Sequence, residues 1–206
     1  TIGEKATDDG FFFSSVVQFL ETGRVSTNNP NYQSYSDDVK KYIVPRSGYY
    51  MFDFDYSAVE YRIMSCMAGE GSLIERFKDN DTDIHSYQAS RMFGVPLAYV
   101  DGGLRSQSKG VSFGLMYGMQ APSLGASIFG EETDENTKKA GKLMDLFFTG
   151  QEKVQNFFIK AQNESFIKGW SDTYLGRRRY FNKNKFSKHK IQRMGANHRI
   201  QGTAAD

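Results

Sequence analysis

The stretch Gly48-Tyr49-Tyr50-Met51-Phe52-Asp53-Phe54-Asp55-Tyr56-Ser57-Ala58-Val59-Glu60-Tyr61-Arg62 changes its period halfway along. Over 48–55 it is rich in aromatics, with Phe52 and Phe54 on one face and Asp53 and Asp55 on the other, which predicts a strand. From Ala58 to Cys66 the pattern turns helical. A strand that runs straight into a helix leaves Asp55 at the strand's carboxyl end, where a carboxylate can hold a hard cation such as Mg²⁺. The commoner role of an Asp there is a helix cap or an ion pair, and Asp53 keeps that ordinary role.

The same mixture of periods continues outward. Residues 11–21 predict a short buried helix ended by Thr22-Gly23, and 24–47, with Asn28-Asn29-Pro30-Asn31, predict turns and loop. Downstream, a helix starts near Asp83, whose side chain can cap it, and another covers about 104–117. Residues 134–168 predict one long amphipathic helix, with Leu143, Leu146, Phe147, Val154, Phe157 and Phe158 at core spacing. The segment from Lys188 onward also predicts helix. Cys66 and Trp170 are expected in the core, and His198 at the surface or in packing rather than as a ligand. The fold class expected is α/β mixed (α+β).

At 206 residues, 39% of them hydrophobic and 15% aromatic, the chain has the material for one large domain, or a domain with a small appendage, and is not disordered. A single cysteine excludes a disulfide framework and a cysteine-rich zinc module. There is neither a run of about 18 apolar residues nor a basic-then-apolar leader, so the expectation is a cytoplasmic protein, or a piece of one, with no membrane. The formal net charge of +2 hides an uneven distribution: Lys160–Ile200 holds eleven Lys or Arg and two acids, a local +9, and the rest carries −7. Within it, Gly176-Arg177-Arg178-Arg179-Tyr180-Phe181 mixes guanidinium groups with aromatics. Such a mixture can neutralise phosphates and stack on bases, which makes nucleic acid a candidate partner.

A second chemical site is Arg105-Ser106-Gln107-Ser108-Lys109-Gly110-Val111-Ser112-Phe113-Gly114-Leu115-Met116-Tyr117-Gly118. Positions four apart on a helix drift by only about 40°, so Arg105, Lys109, Phe113 and Tyr117 share one stripe. Two cations followed by two aromatics suit a ligand with phosphates at one end and a flat ring at the other. Gly110, Gly114 and Gly118 line an adjacent stripe that permits close approach, by a ligand or by a packing helix.

Together these segments resemble the family A DNA polymerases: Asp-Tyr-Ser-x-x-Glu-x-Arg at 55–62 is similar to their motif A and Arg-x-x-x-Lys-x-x-x-Phe-Gly-x-x-Tyr-Gly at 105–118 to their motif B. Three more pieces are similar and in order: Thr22-Gly23-Arg24-Val25-Ser26 with Pro30-Asn31-Tyr32-Gln33, then Asp83-Ile84-His85, then Arg193…Asn197…Gln201-Gly202-Thr203-Ala204-Ala205-Asp206. The resemblance implies a polymerase right-hand fold, with mostly helical fingers and part of an antiparallel palm sheet. Residues 1–66 would belong to the palm with the end of the thumb, 67–170 to the fingers, and 171–206 to the return to the palm. It implies template-directed DNA synthesis with dNTPs and primer–template DNA as partners, and a pair of Mg²⁺ ions held partly by Asp55 and the Tyr56 main-chain carbonyl.

By the same resemblance Arg105, Lys109 and His85 would grip the triphosphate, with Lys109 the proton donor to pyrophosphate. Phe113 and Tyr117 would pack on sugar and base, and Glu60, bonded to the Tyr117 hydroxyl, would exclude a ribose 2′-hydroxyl. Arg24, Asn31, Gln33, Arg193, Asn197 and Gln201 would meet the primer–template. Ala58 and Tyr61 depart from the usual Gln and Leu, and Ser106 from a second arginine. The family's His-Asp-Glu motif with the second metal carboxylate is expected after Asp206, in the remainder of the polymerase on the same or a separate chain, so this chain alone is expected to be inactive. The alternatives are a non-catalytic DNA- or nucleotide-binding part of a split polymerase, and a single-subunit RNA polymerase relative, against which Glu60 argues.

Overall fold

A computed structural model describes residues 6–11, 13–79 and 83–206. They fall into two units that divide after Ser57, with Ala58–Ala204 in the second.

In the first unit, β1 (Ser15–Val17) pairs antiparallel with β2 (Ser26–Asn28), Val16 lying opposite Thr27. The helix expected over 11–21 is therefore a hairpin. Two adjacent valines favour the extended backbone, and Gly23, at φ +85°, lets the chain turn back. The expected loop over 24–47 contains β2 and a single helical turn, α1 (Asp37–Lys40). The strand expected over 48–55 does not form. Phe52 and Phe54 do share a face, with ring centroids 6.0 Å apart, yet they are 75% and 86% exposed. Alternation without a ladder partner does not make a strand, and no described segment pairs with this one.

The second unit is mainly helical. It comprises α2 (Val59–Ala68), α3 (Gly71–Lys78), α4 (Ile84–Phe93), α5 (Gly102–Met116), α6 (Ala121–Phe129), α7 (Asp134–Phe148), α8 (Glu152–Lys168) and α9 (Lys188–Asn197). Capping follows the sequence. Asp83, Asp101, Thr133 and Ser187 each accept a backbone N–H in the first turn of the helix they precede, and Gly69, Gly94, Gly130 and Gly169 end helices in the left-handed conformation. The helix expected over 134–168 is two, broken at Thr149-Gly150-Gln151. Gly150 takes φ +68°, and the fully buried Gln151 side chain lies 3.0 Å from the Gln88 amide. A hairpin of β3 (Trp170–Asp172) and β4 (Arg178–Tyr180) joins α8 to α9. After α9 a π-type turn (His198–Gly202) leads into α10 (Thr203–Ala205).

The core lies in this unit, around Tyr61, Met64, Leu73, Val111, Leu124, Phe147, Val154 and Ile200. His198 is fully buried, with Nε2 3.3 Å from the Arg177 carbonyl, and is thus a packing residue. Two residues expected in the core are not there. Cys66 is exposed on α2, and Trp170 is half-buried between Lys168 and Arg178. No helix among the described residues is long and apolar enough to cross a membrane.

Candidate functional site

Helix α5 carries the stripe that its spacing predicts. The Phe113 and Tyr117 rings stack with centroids 6.3 Å apart and planes 16° from parallel. The exposed Lys109 ammonium sits 5.8 Å from the Phe113 centroid. One turn earlier, Arg105 forms a two-pronged ion pair with Asp83, Nε to Oδ2 and Nη2 to Oδ1, both at 2.9 Å. Asp83 also accepts the Ser86 backbone N–H at 2.8 Å, capping α4. One carboxylate thus joins the start of the helix that holds His85 to the cation end of α5. Burial works against its charge, but the hydrogen bonds from Arg105 and Ser86 outweigh it and hold the carboxyl at about 2. Sequence reading finds Asp83 as a cap and misses the pair, because nothing in a 22-residue separation announces it.

His85 lies beside the same stripe, its ring 5.7 Å from Phe113 and 6.3 Å from Tyr61. Burial, reinforced by the Lys109 and Arg105 charges, pushes its pKa down to about 4 against the opposing pull of Asp83. The ring is therefore neutral near pH 7. Its buried Nδ1 has no hydrogen-bond partner. Tyr61 supports this ring from behind and stacks on Phe147, 6.2 Å away. Its hydroxyl is buried near Ser112 and Gln151 without a close hydrogen bond, and burial raises its pKa. Its only signal in the sequence is its departure from the family pattern.

Glu60 stands in the first turn of α2 and is 8% exposed, which rules out a solvated surface carboxylate. Arg62 donates to the Phe77 carbonyl at 3.0 Å and stacks on its ring. The glycine stripe of α5 is filled by protein. Gly110 and Gly114 face Ile128 and Leu124 of α6, and Gly118 packs against Arg193 of α9. Asn197 donates to the Met116 carbonyl at 3.4 Å, and Gln201 is buried in the π-type turn. The end of α5 and the α9 residues Arg193 and Asn197 therefore come together.

Arg24, Asn31, Gln33, Asp53, Asp55 and Tyr56 belong to the first unit. The Thr27 hydroxyl, itself buried, donates to Asn31 Oδ1 at 3.0 Å with Gln33 Oε1 3.5 Å away. Thr27 is a residue that sequence reading missed. Asp53 pairs with Lys40 at 3.1 Å, as its ordinary role anticipates. Asp55 and Tyr56 are exposed in the extended segment. Asp55 and the Tyr56 carbonyl are hard oxygen donors of the kind Mg²⁺ prefers, but they amount to part of a coordination shell. Among the described residues no group of three Asp, Glu, His or Cys side chains could hold a metal ion.

Of the three arginines 177–179 only Arg178 is exposed, with its guanidinium over the Trp170 ring. Arg177 donates to Asp206 Oδ1 at 2.6 Å and to the Gly202 carbonyl at 3.0 Å, and Arg179 is half-buried beside Met194.

Comparison with known proteins bears on the family and the fold. The chain is 34% identical over 196 residues to DNA polymerase I of Mycobacterium tuberculosis, covering 90% of this chain and 21% of that protein. It is 32% identical over 195 residues to the thermostable DNA polymerase I of Thermus aquaticus, covering 90% and 23%. The chain thus spans less than a quarter of the length of these relatives. Among solved structures, the POL domain of Pol1 from M. smegmatis, in complex with DNA primer–template and dNTP, superposes with a TM-score of 0.80 at 29% identity, covering 99% of this chain and 37% of that one. The signature of DNA polymerase family A matches residues 6–206, almost the whole chain. With both motifs, the fold and this match in agreement, the chain belongs to DNA polymerase family A.

Proposed function

We propose that this chain grips the incoming nucleotide and part of the primer–template in a DNA-directed DNA polymerase, which transfers a deoxynucleotide from a dNTP to a primer 3′-hydroxyl. The observation that carries this reading is the α5 stripe with His85 beside it: cations at one end, stacked rings at the other. Residues 1–66 are assigned to the palm with the end of the thumb, 67–170 to the fingers and 171–206 to the return to the palm. A cytoplasmic place, in a bacterial or phage-infected cell, suits an enzyme that works on DNA.

Arg105 and Lys109 neutralise the triphosphate, and the neutral His85 adds an N–H donor rather than a third charge. Lys109 Nζ gives its proton to the leaving pyrophosphate oxygen. Phe113 and Tyr117 pack on the sugar and base, while Glu60 occupies the space that a 2′-hydroxyl needs. Arg24, Asn31, Gln33, Arg193, Asn197 and Gln201 hold the primer–template. With the side-chain oxygens of Asn31 and Gln33 turned toward Thr27, their amide NH₂ groups remain to donate to the minor-groove acceptors that every base pair offers. Such contacts test the shape of a pair without reading its sequence. Asp55 and the Tyr56 carbonyl contribute to holding two Mg²⁺ ions, which when bound supply charge neutralisation at the attacking and leaving oxygens.

Primer extension by the full-length protein tests this. A charge-assisted contact is worth roughly 1.5–3 kcal/mol, so Lys109→Ala should lower single-turnover incorporation of dNTP by about 10- to 150-fold. Glu60→Ala should raise ribonucleotide relative to deoxynucleotide efficiency by about a hundredfold, the equivalent of about 3 kcal/mol. Unchanged rates would remove Lys109 from the site, and an unmoved ratio would remove Glu60 from its place beside the sugar. The 206-residue chain on its own should extend no primer.

A further inference from the structure

The densest positive charge in the molecule lies in a stretch where Arg193 is the one cation assigned above to nucleotide or DNA. From Thr173 to Ala205 there are nine Lys or Arg and no Asp or Glu. Three aromatic rings in and beside this stretch are each flanked by two cations. Lys183 and Lys188 lie 5.4 and 5.5 Å from the Phe166 centroid, and Lys168 and Arg178 lie 5.1 and 4.3 Å from that of Trp170. Lys185 and Lys190 lie 5.6 and 4.6 Å from that of Phe186. The Phe166 and Trp170 clusters adjoin, because Lys183 also packs over Gly169 and donates to the Ile167 carbonyl at 3.0 Å, and Phe186 with its two lysines interleaves with Lys183 and Lys188 along the chain.

A ring steadies a cation without cancelling its charge, whereas a carboxylate partner cancels it. Among the described residues, Arg178 and Lys183, Lys185, Lys188 and Lys190 have no acidic partner within ion-pair distance, and all five are exposed. The faces that could stack on unpaired bases are occupied by these cations. What remains available is positive charge at the outer surface, which suits phosphates rather than bases.

We propose that this surface, from Trp170 to Lys190, is a track for the phosphate backbone of double-stranded DNA, contacted without regard to sequence. The assignment rests on the polymerase reading and adds to it a surface, from Trp170 to Lys190, that none of the motif residues supplies.

The test uses the full-length protein, two unrelated DNA duplexes and no nucleotide, with affinity followed across a salt series. Each phosphate neutralised contributes about 0.9 to the slope of log affinity against log salt. Replacing Lys183, Lys185, Lys188 and Lys190 together with Gln should therefore flatten that slope by about 3 to 4. From about 50 to about 200 mM salt the variant should lose roughly a hundredfold less affinity than the wild type, equally on both duplexes. The same four positions changed to Arg should keep the wild-type slope, and Lys185→Gln with Lys190→Gln should give about half the effect, which covers the case of a quadruple variant that does not fold. An unchanged slope in the Gln variants, including one accompanied by loss of an acidic protein partner, overturns the proposal, as does an effect confined to one duplex. A wild type that binds duplex steeply but incorporates no dNTP overturns the polymerase reading and leaves the track standing.

Discussion

Asp83 shows how one side chain can serve two elements. Its carboxylate caps α4 and pairs with Arg105, with both partners about two-fifths exposed. At that exposure solvent screens the pair, so it is worth about 1 kcal/mol and not the larger figure that a carboxyl held at about 2 suggests. Because its pKa is depressed on folding, the contribution is fully present above the unfolded value near 3.9 and is lost as pH falls toward about 2. Asp83→Asn retains a capping oxygen but loses the charge. It should therefore lower stability by about 1 kcal/mol at pH 7, with the deficit shrinking as pH falls from about 4 to about 2. Urea melts of wild type and variant across that range measure it. A deficit that does not change with pH would mean that the pair contributes nothing and only the cap matters.

At the scale of elements, the meeting of α5 and α9 depends on Gly118. It ends α5 at φ +71°, and a Cβ there would strike the Arg193 side chain. The left-handed conformation alone costs an alanine about 1–2 kcal/mol. Gly118→Ala should then lower the melting temperature by about 2–4 °C for each kcal/mol, and should weaken DNA binding by displacing Arg193. A melting temperature equal to wild type would show that this junction yields freely. Much of this level was legible in sequence: the cap at Asp83, the helix from Lys188, the reach of α5, and the stripe from Arg105 to Tyr117 all follow from local periods and local hydrogen bonds. What was not legible depends on distant partners. The alternation at Phe52 and Phe54 is a correct reading of faces but finds no ladder. The break at Thr149–Gln151 is fixed by a buried amide that meets Gln88, 63 residues away. Arg177, which reads as a phosphate ligand, is used internally by Asp206 and Gly202.

Across the whole molecule, packing is distributed unequally. Eight rings run in contact from the candidate site into the core, Tyr117, Phe113, His85, Tyr61, Phe147, Phe148, Phe158 and Phe157, with successive centroids 5.3–6.3 Å apart. The rings of the α5 stripe thus rest on the same apolar material that holds the helices together. Every buried residue of the hydrophobic core cluster lies at or beyond Tyr61. In the first unit, by contrast, the large side chains Tyr42, Val44, Tyr49, Tyr50, Phe52, Phe54 and Tyr56 are exposed. Stability scales with apolar area buried, so residues 58–206 should hold nearly all of it. A chain of 58–206 alone should unfold in one cooperative transition, with a denaturant midpoint close to that of the 206-residue chain. The slope of its unfolding free energy should also be nearly unchanged, since that slope follows the surface exposed on unfolding. Residues 6–57 alone should show no cooperative transition, because a two-stranded hairpin is at best marginal in water. A large fall in midpoint on removing 1–57 would show that the exposed aromatic segment contributes to the core after all, and the division after Ser57 would not be one of stability.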